Sequence, residues 1–303
     1  MIDFKPFSLE EKALYDSFLM SAGERGCEYS FTNLFLWGRQ QAAVLHGHLA
    51  FFSQFNRRSV YLFPVGSGDK RPVLEAIMED ARQRGIPCRL TGLTQDDCAQ
   101  LERLFPGRFR IHFDRNSFDY VYNIEDLAEL KGRKFQRKRN HLNRFLEAHP
   151  DHLLDPITDE NASRAEKLVE LWYEARQQED PTADFHMERS ALKKALKHRK
   201  ALGLEGLLLS DGDQLLAMTM GSPLSESTFD VHFEKALDRV DGAYAAINRG
   251  FARYLRDKYP ALRYLNREED MGLEGLRKAK LSYCPDHMIE KNWACLLEDG
   301  YDY

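Results

Sequence analysis

The sequence predicts a mixed α/β protein that consists of two successive units. Short runs rich in β-branched and aromatic residues, typical of strands, alternate with longer runs of helical spacing. The same order of elements occurs twice: helices, three antiparallel strands, a helix, a strand, a helix and a strand. A chain of 303 residues, 43% of them hydrophobic, can fill the cores of two domains of average size.

The first unit begins with two helices, predicted over residues 8–21 and 29–37. Three strand-like runs follow, and the turn around Gly47 joins the first two as a hairpin. A helix then ends at Gly85, ahead of a proline. A strand (PCRLTGL), a helix (TQDDCAQLERLF) and a long strand pair (RFRIHFD and SFDYVYNI) complete the unit.

The second unit repeats this order. Helices are predicted over 126–148, 159–179 and 188–201, before a hairpin with its turn at Asp211-Gly212-Asp213. The remaining elements are a strand (TFDVHFEKA), a helix (GAYAAINRGFARYLRDKY), a strand (LRYLNRE), a helix (GLEGLRKAKLSY) and a last strand (DHMIEKNWACLL). We therefore predict units at 1–124 and 125–303, the second beginning at a strongly basic helix.

Composition excludes several classes of protein. The formal net charge of -5 creates no global attraction to nucleic acid or anionic membranes, so any such attraction must be local. The five cysteines form no C-x-x-C pair, which favours reduced thiols. No apolar run has the length of a signal peptide or a membrane helix, and His46-Gly47-His48 lacks further obvious metal ligands. The predictions are a cytoplasmic location and no bound metal.

Three segments carry a family resemblance: LKGRKFQRKRNHLNRF (130–145), VHFEKA (231–236) and YLNREEDMGLEGLRKAKLSY (264–283). With the element order, they make the chain resemble the phosphatidylglycerol lysyltransferase C-terminal-like family. The resemblance implies two tandem GCN5-related N-acetyltransferase (GNAT) units, as in the FemABX aminoacyl-tRNA-dependent transferases. It also implies that the chemistry lies in the second unit, whereas the first is structural. Lysyl-phosphatidylglycerol synthases carry many membrane spans that this chain lacks, which puts lipid lysylation in doubt.

The turn at 232–248 corresponds in the resemblance to the loop that wraps the pyrophosphate of coenzyme A. Amide groups at a helix N-terminus bind anions, and small residues let the backbone approach them. We accordingly assign donor binding to four residues of this loop and to one at the end of the next strand: Arg239, Gly242, Ala243, Tyr244 and Asn266. The alternative is an ordinary helix start, with Asp241 as its N-cap.

Catalytic candidates lie on the strand that leads into this turn. Glu234 and His232 share one face of the strand by alternation, and either could take a proton from an amine acceptor. The alternative is a surface ion pair for Glu234 and a half-buried structural imidazole for His232. Lys278 stands where related acetyltransferases have a tyrosine acid; it could donate a proton only if burial depressed its pKa, or it could instead bind phosphates.

Two charged segments suggest binding roles. The acids Glu268, Glu269 and Asp270 suit a cationic acceptor, or simply complement the dipole of the following helix. The basic helix suits tRNA, the 3′-phosphate of coenzyme A or an anionic lipid, unless it is a solvated face paired with local acids. Its candidate contacts are Arg133, Lys134, Arg137, Lys138 and Arg139.

Together these features predict a transferase that moves an acyl or aminoacyl group to an amine or hydroxyl acceptor, either a small molecule or a lipid. The donor is an acyl-CoA or an aminoacyl-tRNA, and catalysis rests mainly on the positioning of donor and acceptor. The alternative is a binding or regulatory module that keeps the tandem fold without chemistry, which the KAKLSY segment (278–283) favours.

Overall fold

The computed structural model describes residues 1–38, 40–55, 58–182 and 184–297. The chain forms two units, each with its own sheet. The first unit contains Met1–Asp119, Glu269–Leu273 and the described residues from Met288 onward, and the second contains Tyr120–Glu268 and Glu274–His287. The sequence predicted one continuous second unit over 125–303. In the structure, residues 269–273 and the described residues from Met288 onward belong to the first unit instead.

The first unit holds four α-helices and eight strands within the described residues. The helices are α1 (Lys12–Leu19), α2 (Phe31–Trp37), α3 (Arg71–Arg84) and α4 (Gln95–Leu104). The strands are β1 (Lys5–Pro6), β2 (Gln40–Leu45), β3 (His48–Phe55), β4 (Arg58–Leu62), β5 (Val65–Gly66), β6 (Arg89–Leu93) and β7 (Phe109–Phe113), with β15 (Asn292–Leu296) from the far end of the chain. The predicted hairpin of β2 and β3 is present.

Local chemistry explains where these helices begin and end. Ser30 caps α2 by accepting a hydrogen bond from the Asn33 amide, and Thr94 and Asp97 form a capping box at the start of α4. The helix α3 ends at Gly85, whose φ of 65° is left-handed, as the sequence predicted.

The first sheet has the order β1-β2-β3-β4-β6-β15-β7, and β5 pairs with β3. The strand β15 enters between β6 and β7 and pairs with both in antiparallel register. The predicted pairing of RFRIHFD with SFDYVYNI is therefore wrong. The neighbour of β7 is β15, because Ala294 and Leu296 complete the apolar core that α3 and α4 cover.

The second unit holds six α-helices within the described residues: α5 (Ile124–Glu129), α6 (Gln136–Ala148), α7 (Ala162–Glu179), α8 (His186–Leu202), α9 (Ala243–Lys258) and α10 (Glu274–Leu281). Its sheet is formed by β8 (Asp119–Asn123), β9 (Leu153–Pro156), β10 (Glu205–Asp211), β11 (Gln214–Pro223), β12 (Thr228–Ala236), β13 (Tyr264–Asn266) and β14 (His287–Ile289). The sheet order is β14-β8-β13-β12-β11-β10-β9.

Two predicted elements of this unit are divided in the structure. The helix predicted over 126–148 breaks into α5, a short 3₁₀ turn and α6, because Leu130 and Gly132 both have left-handed φ values, of 52° and 85°. The predicted last strand is two strands, β14 and β15, which belong to different sheets. No helix among the described residues is both long and apolar enough to span a membrane.

A buried charge cluster ties together distant parts of the first unit. The Lys291 ammonium lies 2.7 Å from the Asp119 carboxylate and 3.1 Å from each of the Glu28 and Glu269 carboxylates. The Asp119 side chain is fully buried, and only 8% of the Lys291 side chain is exposed. A single ammonium thus neutralises acids from three separate segments of the chain.

The start of α9 packs directly on α6 in the second unit. Gly242 precedes α9 with φ of 79°, and a Cβ atom at this position would overlap the main-chain carbonyl oxygen of His141. The neighbouring Asp241 accepts hydrogen bonds from Arg144 (2.6 Å) and pairs with the His141 ring (3.1 Å). Close packing between two helices therefore accounts for the glycine.

We expect Lys291→Met to lower the free energy of unfolding by about 3–5 kcal/mol, because it leaves buried carboxylates without their cation. Urea denaturation followed by circular dichroism measures this change. The control is Lys278→Met, since Lys278 is 74% exposed and pairs with the exposed Glu274 on α10. The control should change stability by less than about 0.5 kcal/mol. Equal changes in the free energy of unfolding for the two variants would contradict a stabilising role of the buried cluster.

Gly242→Ala should destabilise the protein by more than about 1 kcal/mol, because a methyl group disfavours the left-handed backbone of this position and would overlap the main chain of α6. The matched control is Gly275→Ala in α10, where a Cβ meets nothing within 4 Å. There alanine should stabilise by about 0.5–1 kcal/mol through its higher helix propensity. Thermal unfolding of both variants tests the assignment, which fails if Gly242→Ala is neutral.

Candidate functional site

The centre of the second sheet contains two parallel strands that pair briefly and then part. The strands β12 and β13 are in register from Thr228 with Tyr264 to Asp230 with Asn266, where β13 ends. The strand β12 continues to Ala236, and the register shift against β11 places a bulge at His232. Bulges re-aim side chains and are frequent beside active sites. The gap beyond Asn266 is therefore the candidate site.

A row of polar side chains crosses the sheet at the mouth of this gap. Ser222 on β11 is opposite Asp230 on β12, which in turn is opposite Asn266 on β13. All three residues are at most 1% exposed. Burial of polar groups in the middle of a sheet costs free energy that apolar residues would avoid. Such a row indicates a functional requirement rather than a packing one.

His232 lies next to this row and connects β11 and β12 with the turn after β13. Its Nε2 atom is 2.8 Å from the Ser222 Oγ atom. Its Nδ1 atom is 3.3 Å from Glu268 Oε1 and 3.5 Å from Asp230 Oδ2. The imidazole therefore bridges a hydroxyl group and two carboxylates, and its side chain is only 3% exposed.

Glu234 lies deeper in the gap and is held on two sides. Its Oε1 atom is 2.7 Å from Nη2 of Arg267, and its Oε2 atom accepts a hydrogen bond of 3.1 Å from the Asn248 amide. Two neighbouring polar atoms are buried without a hydrogen-bond partner, Nη1 of Arg267 and Oδ1 of Asn248. One is a donor and the other is an acceptor, so the site can receive a ligand that offers both.

Aromatic rings and a second cation surround Arg267. Its guanidinium group lies 4.8 Å from the Tyr283 ring centroid and 5.5 Å from that of Tyr122. The Lys138 ammonium lies 3.7 Å from the Tyr283 ring. Burial and the nearby Arg267 charge lower the pKa of Lys138 to about 8. Burial raises the pKa of the Tyr283 hydroxyl, which therefore stays protonated at neutral pH.

The basic segment divides into residues with different tasks. Lys134 pairs with Asp126 at 2.7 Å, and Arg139 donates to the carbonyl groups of Leu130 and Gly132. Lys138 points inward, whereas Arg133 and Arg137 are exposed at the start of α6. Only part of the predicted polyanion-binding surface is therefore exposed and without an assigned intramolecular role.

The acids predicted to bind a cationic acceptor have different partners, and acceptor binding by them stays a prediction. Glu268 pairs with His232 in the second unit. Glu269 and Asp270 belong to the first unit, in which Glu269 contacts Lys291 and Asp270 lies 3.6 Å from Arg115. Burial raises the pKa of Glu269 to about 7.

Lys278 lies on the solvent face of α10, paired with Glu274, so the burial that a proton-donating lysine would need is absent there. The tyrosine of the same KAKLSY segment is its last residue, Tyr283. It lies against Arg267 in the gap and is 5% exposed. Sequence reasoning missed Tyr283, Arg267, Asn248 and Ser222. The tyrosine at the end of that segment was a signal that could have found the first of them.

The residues predicted to bind the donor also lie in different surroundings. Gly242 packs against α6, Ala243 is buried, and Tyr244 is half-buried, with burial raising the pKa of its hydroxyl. Arg239 is exposed and lines a pocket of about 240 Å³ with Trp172 and Leu237. Asn266 accepts a hydrogen bond from the Glu268 amide at 2.7 Å, so its side chain shapes the turn after β13. Donor binding by these residues stays a prediction.

Three solved structures place the fold. A conserved protein of unknown function from Bacteroides thetaiotaomicron is 41% identical, with a TM-score of 0.92 over 98% of this chain and 100% of that one. L-PGS from Bacillus licheniformis is 14% identical, with a TM-score of 0.70 over 100% and 95% of the two chains. FemX is 11% identical, with a TM-score of 0.61 over 98% of each chain. The predicted tandem GNAT fold is thereby confirmed.

Sequence comparison gives a further relative and the family. A protein from Mycoplasmoides gallisepticum described as uncharacterized is 28% identical over 182 residues, which are 58% of this chain and 55% of that protein. The chain thus spans only about half the length of that relative. Residues 20–295 match the profile of the family described as phosphatidylglycerol lysyltransferase, C-terminal. The chain belongs to this family, as its tandem fold and the residues of 130–145, 231–236 and 264–283 had indicated.

Proposed function

We propose that the second unit transfers an aminoacyl group from aminoacyl-tRNA to an amine or hydroxyl acceptor. One observation carries this proposal: the buried Glu234–Arg267 pair is flanked by an unused donor, Arg267 Nη1, and an unused acceptor, Asn248 Oδ1. Buried polar atoms without a hydrogen-bond partner cost free energy, and a bound ligand that supplies the partner removes this cost.

An α-aminoacyl ester matches both atoms. Its carbonyl oxygen accepts from Arg267 Nη1, and its α-amino group donates to Asn248 Oδ1 and to the Glu234 carboxylate. An acetyl thioester offers the carbonyl oxygen but no amino group. The hydrogen-bonding pattern therefore favours an aminoacyl donor over a simple acyl donor.

The surroundings of the gap support a tRNA carrier. Arg133, in the turn before α6, and Arg137, directly before the inward-pointing Lys138, are exposed and suit a phosphate backbone. At the start of α9, where related acetyltransferases bind the coenzyme A pyrophosphate, Gly242 instead contacts the His141 carbonyl group. The second feature weakens the case for coenzyme A.

The reaction assigns a part to each group. Neutral Lys138 takes a proton from the acceptor amine or hydroxyl, which then attacks the ester carbonyl carbon. Arg267 stabilises the negative charge that develops on the carbonyl oxygen. The new amide or ester bond forms, the bond to the ribose oxygen breaks, and that oxygen leaves with the proton. Glu234 had been the predicted base, but its pairing with Arg267 and Asn248 suits it better to hold the α-amino group.

A second candidate is the non-catalytic binding module. It is favoured by the two pairs that span the gap, Glu234 with Arg267 and His232 with Glu268. Such pairs could hold the strands together without chemistry. The donor experiment below separates the two functions.

The full chain should move radiolabelled amino acid from a mixture of charged tRNAs to an amine, a hydroxyl compound or vesicles of phosphatidylglycerol. Acetyl-CoA should not serve as donor in the same assay. Label transferred from acetyl-CoA alone would establish the acyl-CoA alternative. Binding of tRNA without any transfer would establish the binding module.

Asn248→Leu should lower kcat/KM of this transfer at least about tenfold, because it removes a hydrogen bond to the donor and a contact that holds Glu234. The control is Asn143→Leu, an exposed position on α6. Steady-state kinetics at limiting charged tRNA measure both variants. If the two variants behave alike, the ligand does not use Asn248.

For the pH dependence, kcat/KM should rise about tenfold per pH unit and level off above about pH 8, since Lys138 accepts a proton only when neutral. Lys138→Arg stays protonated and should lose this rising limb. Lys167→Arg, at an exposed site on α7, should keep it. Loss of the limb in Lys138→Arg alone would exclude ionisation of the acceptor as its cause, because the acceptor ionises alike with every variant. An unchanged profile in Lys138→Arg would remove Lys138 as the base.

A further inference from the structure

A pocket of about 240 Å³ lies in the second unit, between the C-terminal half of α7 and the loop that follows β12. Its apolar lining comes from Leu171, Trp172, Ala175 and Leu237, and its charged lining from Arg176, Glu179, Asp238 and Arg239. On the basis of the function given above, we propose that this pocket binds the 3′-terminal adenosine of the tRNA that carries the aminoacyl group. The gap holds the acyl end of the donor, and the pocket holds its base.

The size of the pocket suits one nucleobase. Sites for complete small-molecule ligands usually measure about 300–1,000 Å³, whereas an apolar cavity of about 150 Å³ holds a benzene ring. A volume of about 240 Å³ therefore takes a purine ring but not a complete cofactor. The pocket is a subsite for one flat group of a larger ligand.

The walls of the pocket supply the contacts that a base needs. Arg176 pairs with Glu179 at 2.9 Å and with Asp238 at 2.6 Å, so its planar guanidinium group is held in one orientation. Bases at the ends of RNA strands stack on aromatic rings and guanidinium planes, and their edges form hydrogen bonds. The apolar side chains and Arg176 provide the stacking surfaces. The partly exposed carboxylates of Glu179 and Asp238 accept a hydrogen bond from the amino group of adenine.

Arg239 provides a cation for the phosphate group of the same nucleotide. It is exposed at the pocket, and it forms no hydrogen bond or ion pair with any other residue in the described ranges. The other guanidinium group of the pocket, that of Arg176, is neutralised by two carboxylates. Arg239 therefore remains for a phosphate group, with which a guanidinium group forms strong and often bidentate hydrogen bonds.

The pocket lies at the right place along β12 for the base of a donor whose acyl group is in the gap. Lys235, the residue after Glu234, lies 3.8 Å from the centroid of the Trp172 ring. Leu237 is three residues beyond Glu234, about 10 Å along an extended chain. Because β12 pairs with β13 only as far as Asp230, a ligand in the gap can contact both faces of β12 beyond that point. The ester and the base of a terminal adenosine share one ribose, so they span a distance of this order.

The test compares a deacylated tRNA that has its complete 3′ end with the same tRNA lacking the terminal adenosine. Fluorescence anisotropy titrations at one salt concentration measure the Kd of each labelled tRNA. The wild-type chain should bind the complete tRNA about 5- to 100-fold more tightly, which is the contribution of one stacked base. Ala175→Trp fills the pocket and should remove this preference. Ala201→Trp, at an exposed position on α8, should keep it.

A second pair of variants tests the phosphate contact. Arg239→Gln should weaken binding of the complete tRNA about three- to tenfold and leave binding of the shortened tRNA unchanged, because the contacted phosphate is removed with the terminal nucleotide. Arg103→Gln, at an exposed position on α4, should change neither Kd. Circular dichroism must show that every variant is folded.

Equal binding of the two tRNAs by the wild-type chain, or no tRNA binding at all, overturns the proposal. So does a preference that survives Ala175→Trp in a folded protein. A parallel titration with coenzyme A covers another carrier of an adenosine phosphate: if coenzyme A binds and the two tRNAs bind alike, the pocket is not a tRNA site. Transfer activity is measured separately. Transfer without the preference would remove only the pocket assignment, whereas a preference in a chain that transfers nothing would remove only the proposed function.

Discussion

The short parallel pairing of β12 with β13 is the constraint on which the second unit depends. These strands share only three register positions, from Thr228 to Asp230 and from Tyr264 to Asn266. Beyond them the backbone groups of the two strands no longer bond one another, and side chains take over that task. The result is a gap in the middle of a sheet, lined by groups that an ordinary core would exclude.

The polar groups of the gap form two layers with different chemistry. Near the end of β13, His232 stands between a hydroxyl group and two carboxylates. Further along β12, Glu234 binds Arg267 and Asn248 beside two tyrosine rings. The groups of the first layer contact one another through the His232 ring, whereas the second layer offers both a donor and an acceptor to an organic group. The proposed transfer chemistry occupies the second layer.

The first unit obtains its cohesion differently. Its sheet takes in a strand from the end of the chain, and Lys291, next to that strand, neutralises acids from three segments. An ammonium surrounded by buried carboxylates stabilises only in the complete set, because each member is unfavourable when left alone. A position so far along the chain thus contributes to the fold of the N-terminal residues.

Local patterns in the sequence determined most of the secondary structure, the tandem fold and the region that holds the site. Helix ends followed from Gly85 and from the capping residues of α4, because capping depends on neighbours within a few residues. Glu234 and His232 lie on a strand that the sequence pattern of TFDVHFEKA predicted. These features are short-range, and a sequence records them directly.

Tertiary structure alone decided which polar groups meet. The partners of His232 and Glu234 come from β11, α9 and the turn after β13, so no spacing along the chain indicates them. The inward path of Lys138 depends on Tyr283, which is far away in sequence. The sorting of the β7, β8 and β15 segments between two sheets likewise depends on which apolar surfaces they complete. Side-chain burial and long-range pairing are properties of the whole fold, and a linear pattern of charges and apolar residues contains neither.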